Sequence, residues 1–494
     1  MIKAWLKRNS ETAIAIVVTA LFLVACWLMY VKGVAWDIPW LLIVPAALLG
    51  ISLFVLKLDT ALMVMALLTP FAIDVAIVQD MELSMPVEPM MILYTAIFLF
   101  RVLLSGEYDR RILRHPVTLS VFGMLLWMLF TSFTSQMPLV SFKYLAARLW
   151  FMVPFFFSAA LLFQRKEKIG QLLFCYLISL VAVICYATVR KLQDIYDLQL
   201  MYIVMQPFYN DHTAYGCIVA LMLPVTFHYM LRATGRPVAR ALLLVACVAL
   251  CVGLFFSYCR AAWISVLAAI VIYVAVRIGI KMKWLFLFAA LGVGAFFVHQ
   301  TEVVYNLGKN TQDSSLNLGE QLKSISNIST DASNLERLNR WASAMRMFEE
   351  RPLLGCGPGT YQFLYGSYQI SYQLTTISTN SGNRGNAHSE YIGPMTEQGI
   401  PGVVFVVLVF VSTFLTGVRI YRTAKDKASA RLALGLTLSL LTYYVHGFFN
   451  NFLDTDKLSV PFWAMTAAIV ALDITTEKEE QPIENQVAER KDNY

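Results

Sequence analysis

The chain has 494 residues, of which 58% are hydrophobic and only 14% are charged, and its formal net charge is +7. Soluble domains are about 45–50% apolar and about 25% charged, so this composition excludes an ordinary soluble protein and indicates a chain that crosses a membrane many times. The lysines and arginines cluster at the ends of apolar runs, as membrane orientation requires, so the positive charge does not indicate nucleic-acid binding.

Apolar runs long enough to cross a bilayer recur along the chain and predict an all-α polytopic fold of about 12–14 transmembrane helices. The runs are uniformly apolar rather than alternating, which favours helices over a barrel. The first run has no small-residue cleavage site and is interpreted as a span, not a signal peptide. The pair of spans near 38–79 is the least regular. The predicted spans are 12–32, 38–56, 60–79, 89–105, 117–134, 144–163, 170–189, 213–232, 240–257, 261–279, 283–299, 400–419, 431–449 and 458–473.

Basic segments between the spans all fall on one side if every predicted span crosses, and the positive-inside rule makes that side cytoplasmic. They are KAWLKR, EYDRRILRH, QRKEK, RATGRPVAR, RIGIKMK and RIYRTAKDKASAR. The chain is therefore predicted to comprise a transmembrane bundle (1–299), a large outer loop with short helices (300–399), C-terminal spans (400–473) and a disordered cytoplasmic tail (474–494).

The stretch RGNAHSEYIGPMTEQGIPG places His388 directly before an apolar run. A single loop histidine is more often solvated than functional, but here Glu390 and Glu397 flank it at the mouth of a span. A neutral imidazole in that position can take a proton from a hydroxyl group, and a carboxylate can orient it. His388 is therefore a candidate general base.

Several cations lie on the outer side, against the positive-inside bias. Arg260 stands between two apolar runs in SYCRAAWIS, Lys143 and Arg148 lie in SFKYLAARLW, and Arg340 lies in RLNRW. Guanidinium groups match phosphate oxygens bidentately and lysine adds a point charge, so these residues predict a site for a strongly anionic group. Arg337 is interpreted as part of a solvated helix face.

Motifs for other chemistries are missing from the sequence. It contains no P-loop, no HExxH, no aspartate-rich metal motif and no GxSxG elbow. The eight cysteines lie mostly inside predicted spans, in a spacing typical of neither a zinc site nor a disulfide framework. The sequence therefore predicts neither a metal nor another cofactor.

ERPLLGCGPGTY, followed by NAHSEYIGPMTEQGIPGVV, resembles the C-terminal signature of the O-antigen ligase and O-antigen polymerase superfamily. Ser389 stands where that family commonly has asparagine. FFSYCRAAWISVL resembles the family's arginine block, with Cys259 and Ala261 in place of the usual serine and glycine. The resemblance covers about 205–472. The residues in register with the signature are His388, Glu390, Tyr391, Glu397, Gly399 and Gly402.

The resemblance implies a glycosyltransferase of the bacterial inner membrane whose active site faces the periplasm. Its donor would be a glycan on undecaprenyl pyrophosphate, and its acceptor lipid A-core for a ligase or another lipid-linked repeat for a polymerase. Transfer would be inverting and metal-independent, with His388 acting on the acceptor hydroxyl and Arg260 on the leaving pyrophosphate. The further residues implied are Lys143, Arg148 and Arg340 at the pyrophosphate, with Glu390, Tyr391 and Glu397 in support.

The large outer loop just before the last spans favours a ligase over a polymerase, and transfer to a protein serine or threonine is a third alternative. A polysaccharide transporter or lipid flippase predicts charges near the bilayer midplane and inverted repeats. The charges gather instead at the outer interface, and no repeat is evident. Convergence of Arg260 and His388 in one place would favour an enzyme over a transporter.

Overall fold

The computed structural model of the chain describes residues 57–491 apart from 79–80, 107, 194–202, 286, 288–290, 293, 295–331, 376–377 and 380–384. The chain divides into two compact units, 1–61 and 62–494, and the second contains nearly all of the described residues. In chain order the elements are α1 (Leu58–Leu68), β1 (Ile73–Val78), β2 (Met81–Met85), α2 (Val87–Ser105), α3 (Arg110–Arg114), α4 (Pro116–Phe133), α5 (Pro138–Leu162, π-helical at Val153–Ser158), α6 (Glu167–Gln193), α7 (His212–Arg232), α8 (Pro237–Phe256), α9 (Arg260–Arg277), α10 (Ala332–Glu350), α11 (Tyr361–Leu364), α12 (Ile392–Thr423), α13 (Lys427–His446) and α14 (Asp456–Lys491).

Ten helices within the described residues are long and apolar enough to cross a membrane, namely α2, α4 to α9 and α12 to α14. They coincide with ten of the predicted spans and confirm the all-α polytopic fold. Three further predicted spans, 12–32, 38–56 and most of 283–299, lie outside the described residues.

The predicted span at 60–79 is wrong. Its first part forms α1, which is too short to cross a bilayer, and a 3₁₀ turn containing Pro70 follows it. The remainder is β1, which pairs antiparallel with β2 in a hairpin with Ile73 opposite Met85. The β-branched residues of IDVAIV favour a strand, and a partner strand close in the chain satisfies its backbone.

The backbone of α14 runs on to Lys491, so residues 474–491 are helical here where the sequence predicts a disordered tail. Five of its residues are Glu, and two each are Gln and Lys, all of which have high helix propensity. Residues Asp456–Thr476 of α14 are almost wholly buried among the other helices. By contrast, Leu242 and Val245 of α8 and Leu267 and Val271 of α9 are exposed, as lipid-facing side chains are.

The segments that connect the membrane-spanning helices lie at two opposite ends of the helix bundle. One end, called the basic end, comprises residues 106–115, 163–166, 233–236, 278–281 and 424–426. As far as residue 278, each of these segments is separated from the next by two spans. The histidine end comprises 134–137, 203–211, 257–259, 332–391 and 447–455. Hydrogen bonds join segments within each end: Gln136 N–H donates to Cys356 O (2.9 Å) at the histidine end, and Gln164 Nε2 donates to Asp109 Oδ2 (2.8 Å) at the basic end.

Candidate functional site

A buried glutamate joins the two signature blocks of the sequence. Glu397, near the start of α12, accepts hydrogen bonds from the backbone N–H groups of Gly359 (2.9 Å) and Tyr361 (3.0 Å). Gly355 has φ +65°, and a Cβ there would lie 2.2 Å from the carbonyl carbon of Glu397. Only glycine permits that contact at that backbone angle. The glycine-rich block is therefore docked directly on the first turns of α12.

The same helix bends sharply where the chain enters the membrane span. Gly399 has φ 69° and ψ −168°, which breaks the helical geometry inside α12. The groups freed by the kink find partners: Trp127 Nε1–H donates to Gln398 O (2.8 Å), and Ile400 N–H donates to Pro352 O (2.8 Å). Residues 392–398 are thereby fixed as a separate short helix that leads from His388 into the span.

The backbone around His388 is held from several directions. Arg340 Nη1 donates to Asn386 O (3.1 Å), and Trp341 Nε1 donates to Ala387 O (3.0 Å), so α10 grips the segment just before the histidine. The N–H of His388 itself donates to Asn386 Oδ1 (3.1 Å). His388 has φ +47°, in the left-handed region that non-glycine residues adopt rarely and often at functional sites.

Glu390 ties this loop to the turn between α13 and α14. Its Oε1 accepts from the N–H groups of Phe452 (3.0 Å) and Leu453 (2.9 Å) and from the hydroxyl of Tyr443. Its own N–H donates to Gly447 O (2.7 Å). The structure thus places Glu390 as an anchor of the loop rather than against the ring of His388.

Tyr391 has a similar place in the structure. Its hydroxyl donates to Tyr444 O (2.7 Å), so it fastens the start of α12 to α13. The three residues predicted to support the site, Glu390, Tyr391 and Glu397, therefore all make long-range contacts that position backbone.

The imidazole of His388 lies among charges supplied by other elements. Its pKa is lowered to about 3, chiefly by burial and also by the positive charges of Arg337 and Arg340, which Asp211 opposes. His388 nevertheless keeps some accessible surface. No described residue forms a hydrogen bond to its ring. The ring is therefore neutral at physiological pH and partly accessible.

Arg260 begins α9 at the same end of the molecule. The residue before it, Cys259, is buried, which raises its pKa to about 11, and the charges of Asp211 and Arg337 also act on that thiol. Gly216 of α7 brings the two helices into close contact, since a Cβ there would lie 2.8 Å from Cys259 Cβ. The charges of Asp211 and Arg337 therefore act on both Cys259 and His388. Arg260 is the residue that follows Cys259.

Arg340 and Arg148 are both buried and engaged within the protein. Besides holding Asn386, Arg340 forms an ion pair with Glu336 (2.9 Å), and its guanidinium stacks over the ring of Tyr365 at 5.4 Å. Arg148 donates to Leu453 O and to the hydroxyl of Tyr144, over whose ring it also lies.

The charge of Arg148 lies among carboxylates. The pKa of Asp454 is raised to about 6, chiefly because the surrounding protein desolvates it; the charge of Arg148 opposes this rise and that of Glu390 adds to it. Asp454 is nevertheless exposed. The fourth predicted cation, Lys143, lies exposed on α5.

Sequence reasoning missed several residues that the fold brings to His388. Arg337 was interpreted as solvated, but its charge acts on both His388 and His446. Asp211, the N-cap of α7, pairs with His212 (3.1 Å) and acts on the same two histidines. In the sequence, Asp211 and His446 both lie at the ends of apolar runs, but that position does not show which loops meet in the fold.

No group of three or more His, Cys, Asp or Glu side chains that could hold a metal ion occurs in the part of the chain that the structure describes. The charges that act on His388 instead come from two arginines and an aspartate. Such a set can accept a proton at one nitrogen and stabilise an anion nearby.

Comparison with known proteins adds to this geometry. Residues 245–407 match the family model described as O-antigen ligase. The match covers about a third of the chain and supports its placement in the O-antigen ligase superfamily. The matched segment contains Arg260, Arg337, Arg340 and His388, whereas Asp211 and the turn between α13 and α14 lie outside it. No curated protein matches the chain. Together with the ten apolar helices, the family makes the chain a multi-pass membrane protein of the O-antigen ligase and polymerase type.

Proposed function

We propose that the chain is an O-antigen ligase-like glycosyltransferase that moves a glycan from undecaprenyl pyrophosphate onto a lipid A-core acceptor. The reaction takes place at the periplasmic face of the bacterial inner membrane, with inversion at the anomeric carbon and without a catalytic metal. The family match and the groups gathered around His388 support the proposal.

The observation that carries it is the neutral, partly accessible imidazole of His388 beside two arginine charges. With a pKa of about 3, the free ring accepts protons but is a weak base. A bound pyrophosphate offsets the charges of Arg337 and Arg340, which lower the pKa of His388 in addition to burial, and so raises that pKa. The ring is therefore a stronger base when the donor is in place.

The arginines also serve the leaving group. As the glycosidic bond breaks, negative charge develops on the pyrophosphate, and fixed guanidinium groups stabilise it without reorganising. We assign this role to Arg337, whose charge acts on both His388 and Cys259, and to Arg260, the residue that follows Cys259. The acceptor oxygen attacks the anomeric carbon, its proton passes to His388, and the pyrophosphate leaves with the bonding electrons. A single displacement of this kind inverts the anomeric configuration.

The remaining predicted residues take other roles in this proposal. Arg340, Glu390, Tyr391 and Glu397 are positioning residues, because each holds a segment of the loop rather than reaching toward the ring of His388. Arg148 offsets the carboxylates that anchor the turn between α13 and α14, and its charge keeps them from repelling one another.

Ligase activity is preferred to polymerase activity because the large loop at 295–391 precedes the last three spans, the arrangement typical of the ligase class. The test is transfer by the purified full-length protein in lipid nanodiscs, with undecaprenyl pyrophosphate-linked glycan as donor and either lipid A-core or a second lipid-linked repeat as acceptor. Glycan appearing on lipid A-core in the presence of EDTA, and absent with H388Q, is the expected result.

Extension of the lipid-linked repeat alone would replace the ligase proposal with a polymerase. Transfer to neither acceptor, by a protein whose thermal melting shows that it is folded, would overturn both. Transfer that stops on adding EDTA and resumes with a divalent ion would overturn the metal-independent mechanism while leaving the acceptor assigned.

A further inference from the structure

His446 is a second histidine at the site, contributed by a different element. It is the last residue of α13 and is completely buried. Its Nε2 lies 3.1 Å from Asn450 Nδ2. An amide nitrogen only donates hydrogen bonds, so Nε2 of His446 is the acceptor, and the proton of the neutral ring resides on Nδ1.

That Nδ1–H group is buried, and within the residues that the structure describes it has no hydrogen-bond partner. A buried donor without an acceptor loses the hydrogen bonds that it would make in water, so such groups are rare and call for an explanation. By contrast, His115 at the basic end uses both ring nitrogens, Nδ1 toward Val117 N–H (3.2 Å) and Nε2 toward Asp473 (3.1 Å).

The surroundings of His446 indicate what would accept this proton. The charges of Arg337 and Asp211 act on it, and the same two residues act on His388. The two histidine segments are also joined directly, because Glu390 N–H donates to Gly447 O at 2.7 Å. Asp211 is already engaged with His212 (3.1 Å) and with Thr213 N–H (2.9 Å). A free N–H donor in the field of a guanidinium favours a negatively charged oxygen.

We propose that His446 binds a phosphate oxygen of the lipid-linked donor through Nδ1–H, alongside Arg337. The inference rests on the proposed function, since it names a further donor-binding residue for the same reaction. His446 is the last residue of α13, a helix long and apolar enough to cross a membrane, so it lies at the level where the pyrophosphate of a polyprenyl lipid meets the membrane surface. It also lies beyond the family match at 245–407, directly before the turn that Glu390 anchors to the His388 loop.

Two substitutions separate the two ring nitrogens. In His446→Asn the side-chain amide occupies the position of Nδ1 and keeps a donor there, whereas in His446→Gln the amide reaches the position of Nε2 and leaves that of Nδ1 empty. Binding is measured with the full-length protein in nanodiscs, using undecaprenyl pyrophosphate as probe and undecaprenol, which lacks phosphate, as control. We expect H446Q to weaken undecaprenyl pyrophosphate binding by about tenfold, typical of a lost hydrogen bond to a charged group, and H446N by much less. Undecaprenol binding should not change.

Unchanged pyrophosphate binding by a folded H446Q protein would overturn the inference, as would equal losses for undecaprenyl pyrophosphate and undecaprenol, which indicate packing. If H446Q does not fold, the wild-type protein still decides: with ¹⁵N-labelled histidine, addition of undecaprenyl pyrophosphate should shift the Nδ1 resonance of His446, and no shift on saturation would refute the contact. Failure of the wild-type protein to bind undecaprenyl pyrophosphate at all would instead refute the proposed function.

Discussion

The two ends of the helix bundle differ in how far their charged side chains are buried and in which groups those side chains contact. At the basic end, ion pairs are mostly exposed or local in sequence: Arg111 pairs with Asp109 two residues away (2.8 Å), and Lys166 lies 3.7 Å from Asp426. Asp109 and Asp426 also cap the helices that follow them. These contacts end helices and bind surface segments at little cost.

At the histidine end, two glutamates are buried, and their partners are backbone groups far away in the chain. Glu397 reaches Gly359 and Tyr361, and Glu390 reaches Phe452 and Leu453. Burying a carboxylate is expensive unless several donors satisfy it. The two histidines nearby have donor or acceptor capacity to spare, whereas His115 at the other end has none. The comparison indicates that His115 at the basic end has its hydrogen bonds completed within the protein, whereas His388 and His446 at the histidine end have ring nitrogens that can still bind a ligand.

The largest expected effect is on the base itself. His388→Gln removes the proton acceptor and should lower kcat for glycan transfer by about 10²–10⁴-fold. The matched control is His115→Gln at the basic end, which should lower the melting temperature, because it loses a helix cap and the contact with Asp473, while kcat changes little. Equal losses of kcat in the two variants would erase the distinction between the ends.

Next comes the arginine that sequence reasoning assigned to solvent. Arg337→Gln should lower kcat by about 10²–10³-fold, because a preorganised charge at the leaving group is lost. Arg346 lies on the same helix and donates within the loop, to Tyr368 O (2.7 Å) and Gln373 Oε1 (2.9 Å), and Arg346→Gln is the matched control. It should affect stability more than kcat. If R346Q impaired transfer as much as R337Q, the helix as a whole, not its charge, would be responsible.

A stability comparison sharpens the contrast further. Glu397→Gln replaces one carboxylate oxygen with an NH₂ group that opposes a backbone donor, and should destabilise the fold by about 1–3 kcal/mol. Asp109→Asn in the exposed pair should cost less than about 1 kcal/mol. Thermal melting in detergent or nanodiscs measures both. A smaller shift for E397Q than for D109N would contradict the view that buried carboxylates hold the site together.

The charge around His388 predicts a smaller, pH-dependent effect. Burial is the main cause of its low pKa of about 3 and the positive neighbours are the second, so Arg337→Gln should raise that pKa only part of the way toward the ordinary value near 6.5. The wild-type ring should stay neutral from pH 8 down to 5, and the R337Q ring should begin to take up protons at a higher pH than the wild-type ring. Histidine ring resonances, assigned with H388Q, measure this in the free protein. Equal pKa values of His388 in the two proteins would show that Arg337 does not act on the ring.

The smallest effect is expected at Lys143. Its side chain is exposed on α5, in contrast to the buried arginines, so Lys143→Ala should raise KM for the donor by less than about tenfold through the loss of a screened surface charge. The effect should shrink further at high salt. A loss of kcat as large as that of R337Q would restore Lys143 to a direct role at the pyrophosphate.

The sequence by itself determined ten spans, because the hydropathy of a run of residues is a local property that decides whether the run is stable in a bilayer. It also singled out His388, Glu390 and Glu397 as residues of one motif. It did not distinguish α1 and its following hairpin from a span, because β1 finds its partner only when the chain folds back. Nor did it separate Arg337 from Arg340, which lie three residues apart on one helix. Packing decided that Arg340 grips Asn386 while Arg337 acts on both histidines.

The tertiary structure alone decided which loops meet. Arg148 contacts Leu453, which is 305 residues later in the chain, and Glu390 contacts Phe452, which is 62 residues later. Asp211, the N-cap of α7, acts on histidines of two later elements. Charge and hydropathy placed all of these residues at one membrane face. Their convergence depends on helix packing and on backbone donors brought together by kinks such as that at Gly399, which no local pattern encodes.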